Sequence, residues 1–383
     1  MKEPTKREFL NKTKKQFYQE VKKYQQKLPI SKEIEGFPSN AIVGEKGYPN
    51  LRVHSSSNPS KEGSFFNNSE SVKKDYQEIL PTKARNILGS THNLNIKKVD
   101  DKIKKEIEDV YKSRKPVQIH SKFEKEIRFN NFLINPTNGI IGSRNPLENL
   151  YATENTKTSK VLEKHTGNEI KAQKSLIDLY EKGINESQII NLFSFGSFGT
   201  SINEKLVPSR WAISGYDSTI ENHLFNKIKE YPITNKYKVY GYSDKGNFFL
   251  IILFPTLYYS SVIEKFPGAV KEDFTNSYNR LDKKEPATSG GYWATKLAVL
   301  EKLREMKRQA SFISIRIIRD YDLPLGVIFV RETVRETMKR EIFSTNSEEE
   351  LIDFLKNFNE ELFLFTNSKF NKERNRKTLN EFF

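Results

Sequence analysis

The chain has 383 residues, a formal net charge of +15 and no cysteine. Disulfides, thiolate metal sites and cysteine nucleophiles are therefore excluded, and the basic excess favours a polyanionic partner such as nucleic acid. With 27 Phe and 17 Tyr there is ample apolar mass for a core, in a chain longer than one ordinary core organises.

The longest apolar run, Phe248 to Pro255, is too short to cross a bilayer, and the charged N-terminus holds no apolar signal segment. A soluble protein of the cytoplasm and nucleoid, with no membrane partner and no cofactor, is the expectation. Thr5 to Lys27 predicts a basic helix, with Phe9, Phe17, Val21 and Tyr24 at roughly helical spacing and Pro29 as its stop. Phe37 to Val53 reads as short strands joined by tight turns at Pro38, Gly44, Gly47 and Pro49. His54 to Asn68, rich in Ser, Asn, Gly and Pro, reads as an exposed loop. Helices are expected near Ser71 to Leu80 and Asp100 to Lys112, strands within Ile119 to Ile134, and a turn-rich connection over Asn135 to Pro146.

Ala172 to Glu181 should be helical and stop at Gly183, and Asn185 with Gln188 forms a capping box for the next helix. The aromatic stretch Asn191 to Gly199 reads as core in preference to a base-stacking loop. Asp217 stands where a helix through Glu230 would take its N-cap. Ser243-Asp244-Lys245-Gly246, between two apolar runs, is the strongest hairpin signal in the chain. Polar residues from Lys271 to Gly291 mark a soft boundary. Beyond it a helix is expected over Tyr292 to Ala310 and strands over Phe312 to Ile318 and Leu325 to Val330. Helices follow over Glu332 to Glu341 and Glu348 to Phe363, the last opened by Ser347 with Glu350. The irregular alternation predicts a mixed α/β (α+β) fold, a large composite globular body with a flexible C-terminal tail. Its divisions are a basic helix at 1–28, regions at 29–270 and 271–365, and a tail at 366–383.

The last eight residues, Arg376 to Phe383, carry chemistry. A hook for a replication sliding clamp (PCNA) has the form Gln-x-x-aliphatic-x-x-aromatic-aromatic, because one tight helical turn brings the aliphatic side chain beside the aromatic pair. Leu379, Phe382 and Phe383 occupy the three anchor positions, and Arg376 replaces the usual Gln. Burying three such side chains yields roughly 5–8 kcal/mol gross, of which ordering a tail consumes several. Elsewhere, Arg210 and Trp211 can hold a phosphate and stack a base, or pair with a carboxylate and join the core. Arg331 and Arg335 open a helix after an apolar strand and are further candidates for DNA contact. His54, His92, His120, His165 and His223 are scattered without metal-ligand spacing, so no metal site is expected. Neither a GxxxxGK[ST] phosphate loop nor a GxSxG elbow is present, and no catalytic motif is recognisable.

Four blocks, Phe37 to Pro49 (FPSNAIVGEKGYP), Leu206 to Ile220 (LVPSRWAISGYDSTI), Gly290 to Leu300 (GGYWATKLAVL) and Asp322 to Arg335 (DLPLGVIFVRETVR), together resemble the archaeal Nre repair family in order and spacing. The resemblance runs from about Pro38 to Met338 and implies a role in DNA damage repair with association to the sliding clamp through the C-terminal motif. Many members begin with a four-cysteine zinc segment, which this chain lacks, and often carry Gly-Pro where Ser55-Ser56-Ser57 stand here. The expected function is a repair factor delivered to the clamp. Alternatives are a metal-dependent nuclease using Asp217, Asp273 or Glu332, and a clamp adaptor that never touches DNA.

Overall fold

The computed structural model describes residues 5–25, 31–71, 73–97, 102–128, 132–135, 139–167, 169–200, 204–275, 290–319 and 326–375. It divides into two compact units: Lys15–Ile220 with Leu323–Phe329, and Glu221–Phe383 without that insertion but with Met1–Lys14. The fold is mixed α/β, with one six-stranded sheet in each unit among the described residues.

The first unit begins in helix α1 (Lys6–Gln25). Its Val21 is buried against Ile79, Leu80 and Ala84 of α3 (Tyr76–Ala84), which follows the one-turn α2 (Asn68–Ser71), so the basic helix docks through one apolar edge. Strand β1 (Glu33–Val43) pairs antiparallel with β4 (Ile119–Phe123) through its first residues and with β2 (Asn50–Asn58) through the rest. Gly36 lies at this changeover, where a side chain would strike the carbonyl oxygen of Asn58 at 2.5 Å. Strand β2 continues antiparallel to β3 (Ile87–Asn95). The long β6 (Gly139–Ala152) then pairs with β5 (Phe132–Asn135), with β3 in parallel and with β4.

These pairings close a ring, β1-β2-β3-β6-β4-β1, with β5 attached beyond it. The third and last strands of the ring are parallel, and α4 (Lys102–Lys112) connects its third and fourth strands. That order, polarity and helix placement are those of the OB-fold, a five-stranded Greek-key barrel. Apolar residues alternate inward, as in Leu51 and Val53 of β2 and Ile119 and Phe123 of β4. Ile107, Val110 and Tyr111, at helical spacing, are buried on α4, which packs against β1 and β6. Helices α5 (Lys160–Glu163), α6 (Ala172–Glu181) and α7 (Glu186–Ser194) follow, the last capped by Asn185 accepting from the N–H of Gln188. The unit passes into α8 (Ser209–Ile228).

In the second unit the strand order is β10-β9-β11-β8-β7-β12. Hairpins β7 (Tyr237–Asp244) with β8 (Asn247–Phe254), and β9 (Ser260–Phe266) with β10 (Ala269–Thr275), flank the central β11 (Ser311–Ile318). The first hairpin turns at Lys245 and Gly246, both at positive φ, as a two-residue turn of this type requires. Helix α9 (Gly290–Met306) leads into β11, α10 (Gly326–Thr337) follows it, and β12 (Glu341–Thr345) closes the edge. Leu351 and Leu355 of α11 (Glu348–Leu355), Leu364 and Phe365 of α12 (Asn359–Asn367) and Phe370 of α13 (Lys369–Arg374) cover the core formed by Leu250, Ile252, Phe254, Ile313 and Ile315.

Several expectations are corrected. His54 to Asn58 is strand, and Ser55, Ser56, Ser57 and Asn58 are buried, because barrel closure outweighs their polar composition. Residues 139–146 belong to the longest strand of the barrel, not to a turn-rich connection. The run Val327 to Val330 is helical, since residues apolar on consecutive positions suit a helix buried on several sides as well as a strand. The helix containing Asp217 starts eight residues earlier, so Asp217 is a fully buried mid-helix residue and no N-cap. Residues 366–375, read as tail, fold into the end of α12 and α13.

Candidate nucleic-acid interface

The turn from β1 to β2 and the start of α8 meet at the surface of the first unit. Ser209 opens α8 and its hydroxyl accepts the N–H of Val43, the last residue of β1, at 2.9 Å. That bond fixes the next two residues, Arg210 and Trp211, beside the turn. Within the turn Gly47 has φ 92° and the Tyr48–Pro49 bond is cis. Tyr48 and Trp211 are 55% and 53% exposed, with ring centroids 6.0 Å apart and planes tilted by 43°. The two rings stand next to one another and form a small aromatic step at the surface. Arg210 is mostly exposed and lies 3.8 Å from Glu45, a loose surface pair of little energetic weight.

A second cluster follows along the same strand. Arg52 faces out of β2, between the inward-facing Leu51 and Val53, and its Nε donates to Asn93 Oδ1 at 3.0 Å. His54, on the same face, is 2.6 Å from the hydroxyl of Ser90 on β3, and Arg144 Nε of β6 donates to that hydroxyl at 3.2 Å. Burial, aided by the charges of Arg144 and Arg52, lowers the His54 pKa to about 4, so the ring is neutral near pH 7. Burial and the proximity of Arg52 also lower the pKa of Arg144, a mark of two guanidinium groups sharing one region. Arg52 and Arg144 are not among the residues singled out from sequence, and His54 is weighed there only as a metal ligand. The signal for Arg52 was a lone cation in an apolar–polar alternation; Arg144 sat in a stretch read as turns.

The other candidates are placed differently. Arg331 is 1% exposed, which removes it from any duplex-facing surface. Arg335 is held by Glu301 at 2.7 Å and Glu332 at 2.6 Å, so its charge is already neutralised. The three carboxylates weighed for a nuclease are buried and separate in use: Asp217 in α8, Asp273 with Lys271 at 2.8 Å, and Glu332 with Arg335. Among the described residues no group of three His, Asp or Glu side chains is arranged to hold a metal ion. Phe195 and Phe198 are buried, as expected for core. No helix among the described residues is long and apolar enough to cross a membrane. Arg376, Leu379, Phe382 and Phe383 lie outside the described residues.

Comparison with known proteins covers almost the whole chain. The family model described as "Archaeal Nre, N-terminal" matches residues 12–270, and that described as "Archaeal Nre, C-terminal" matches residues 277–382. Two Archaeoglobus fulgidus proteins, DNA repair protein NreA and DNA repair protein NreB, are 29% and 27% identical over 325 residues, spanning 81% of this chain and 81% of each relative. DNA repair protein NreA of Haloferax volcanii is 31% identical over 183 residues, 45% of this chain and 44% of the relative. With both regional models matched in order and more than half of the sequence within the first, the chain belongs to the archaeal Nre family.

Proposed function

We propose that this chain is a DNA-repair factor of the archaeal cytoplasm and nucleoid. It touches DNA through the Tyr48–Trp211–Arg210 edge and is recruited to the sliding clamp (PCNA) by Arg376, Leu379, Phe382 and Phe383. The observation that carries the DNA contact is the exposed Tyr48–Trp211 pair beside Arg210. Aromatic faces take bases, a cation takes phosphate, and a net charge of +15 raises the local concentration of a polyanion. The relatives' name, DNA repair protein, supports the process. The clamp contact is supported by the spacing of the three anchors at the end of the sequence.

Two measurements on the full-length protein test this. Retention of oligonucleotides should weaken in the Tyr48→Ala, Trp211→Ala variant and fall with added salt. Co-elution with the clamp should be lost in Phe382→Ala, Phe383→Ala. DNA retention that is absent in the wild type favours the adaptor reading, and unchanged clamp co-elution rejects the hook.

A further inference from the structure

We infer that the outer face of β2 and β3 seats one strand of nucleic acid, with a phosphate held between Arg52 and Arg144 beside His54 and a neighbouring base on the Tyr48–Trp211 step. This rests on the DNA-contact reading above and adds the form of the ligand: single-stranded, not duplex.

The charge arrangement asks for an anion. Arg52 and Arg144 flank His54, the first two residues away on β2 and the second bonded to the same Ser90, and among the described residues neither meets a carboxylate; their protein partners are the neutral Asn93 and Ser90. Two like charges held together without a counter-ion cost free energy that a bound phosphate returns. The hydrogen bonding is set for the same purpose. Arg144 Nε donates to Ser90 Oγ, whose own hydrogen is then available to His54 Nδ1; in that tautomer the ring proton sits on Nε2. Arg52 and His54 stand two residues apart on β2, opposite Asn93 and Ser90 of β3, and Arg144 reaches the same Ser90, so the three side chains share one side of this strand pair.

The aromatic step stands at the adjacent turn, four residues before Arg52 in the same hairpin. Stacking on an exposed ring needs an unpaired base, since the faces of paired bases are occupied by their neighbours in a duplex. At its other end the face of β2 is closed, because Asn58 is bonded to Asn86 at 2.6 Å and to the carbonyl of Thr82 at 2.7 Å beneath α3. A strand of nucleic acid therefore has one open stretch, from the turn to Arg144. Barrels of this topology use the face of their second and third strands and the loop between the first two for oligonucleotides, an analogy of fold that agrees with the residues.

The test is equilibrium binding of an oligothymidine probe to the full-length protein across a salt series, with a duplex as competitor. Arg52→Gln, an exposed position whose loss leaves the barrel intact, and Arg52→Gln with Arg144→Gln should each weaken binding. Each arginine removed should reduce the slope of log affinity against log salt by about 0.7. Tyr48→Ala with Trp211→Ala should weaken it about tenfold or more without changing that slope. Duplex should compete poorly. In parallel, inorganic phosphate should raise the melting temperature of the wild type and not of the double arginine variant. A phosphate effect with an unaltered DNA slope would assign the seat to a free anion and overturn the strand. An unaltered slope with no phosphate effect, while the wild type still binds DNA, overturns the site alone. A wild type that binds no DNA of any form overturns the functional reading beneath it.

Discussion

Lys296 and Glu221 meet at 2.9 Å with both side chains fully buried in the second unit. Lys296 Nζ also lies 5.0 Å and 5.1 Å from the ring centroids of Tyr292 and Trp293. Burial, the largest influence, opposes the ammonium charge, but Tyr258, Glu221 and Tyr292 outweigh it and raise the lysine's pKa. The pair costs desolvation and is secure only as a pair. Lys296→Met alone should therefore lower the stability of this unit by about 3–5 kcal/mol, and Glu221→Leu added to it should recover most of that loss. Urea unfolding of the two single variants and the double provides the cycle; additive losses would contradict the coupling.

His54 makes stability depend on acid. Its folded pKa of about 4 lies below the ordinary 6.5, so the unfolded chain binds the proton more readily. The resulting stability is fully present above pH 6.5 and is lost as pH falls through that window towards about 4. The total is roughly 3 kcal/mol. His54→Gln should flatten this part of the profile, measured as the urea midpoint at neutral and acidic pH. An unchanged acid dependence would contradict the burial of a neutral imidazole between Arg52 and Arg144.

The end of the described chain is firmly anchored. Phe370 is fully buried, with ring centroids 4.6 Å from Tyr259 and 5.0 Å from Phe254, and Arg374 pairs with Glu348 at 2.5 Å. Hydrogen bonding from Arg374 holds the Glu348 carboxyl below its usual pKa. Phe370→Ala should cost about 3–5 kcal/mol and release amide protection across residues 369–375, seen by hydrogen exchange. Protection that survives the substitution would show that α13 is held by other means.

These outcomes show what the sequence made legible. Local signals with a fixed geometry held: the Ser243–Gly246 turn between two strands, the Asn185 and Ser347 caps, and the Phe312 to Ile318 strand. Signals that depend on distant partners did not. Nothing near Ser55 to Asn58 announces that β1 and β3 enclose it, and the glycines and proline of residues 139–146 read as turns because a strand that serves three partners along its length needs bends. Trp211 was legible only as a choice between stacking and core. Its exposure is decided by Ser209 reaching back to Val43, a contact across 166 positions of sequence. Arg331 lay on the apolar side of a helix whose start was misplaced, so its burial was not visible.

Arg376 stands where a clamp hook usually carries Gln. If the three apolar anchors supply the affinity, Arg376→Gln should tighten clamp binding by a factor of about five, the worth of one recovered hydrogen bond near 1 kcal/mol. Calorimetric titration of the full-length protein with the clamp measures it. Weaker binding in this variant would assign the energy to the arginine's charge instead.

The most direct measurement is photocrosslinking of the full-length protein to an oligonucleotide carrying a halogenated pyrimidine, with the crosslinked peptides identified by mass spectrometry. Crosslinks on the peptides containing Tyr48 and Trp211 are the predicted result. Crosslinks confined to the second unit, with none on either aromatic, would contradict the assignment of DNA contact to this barrel.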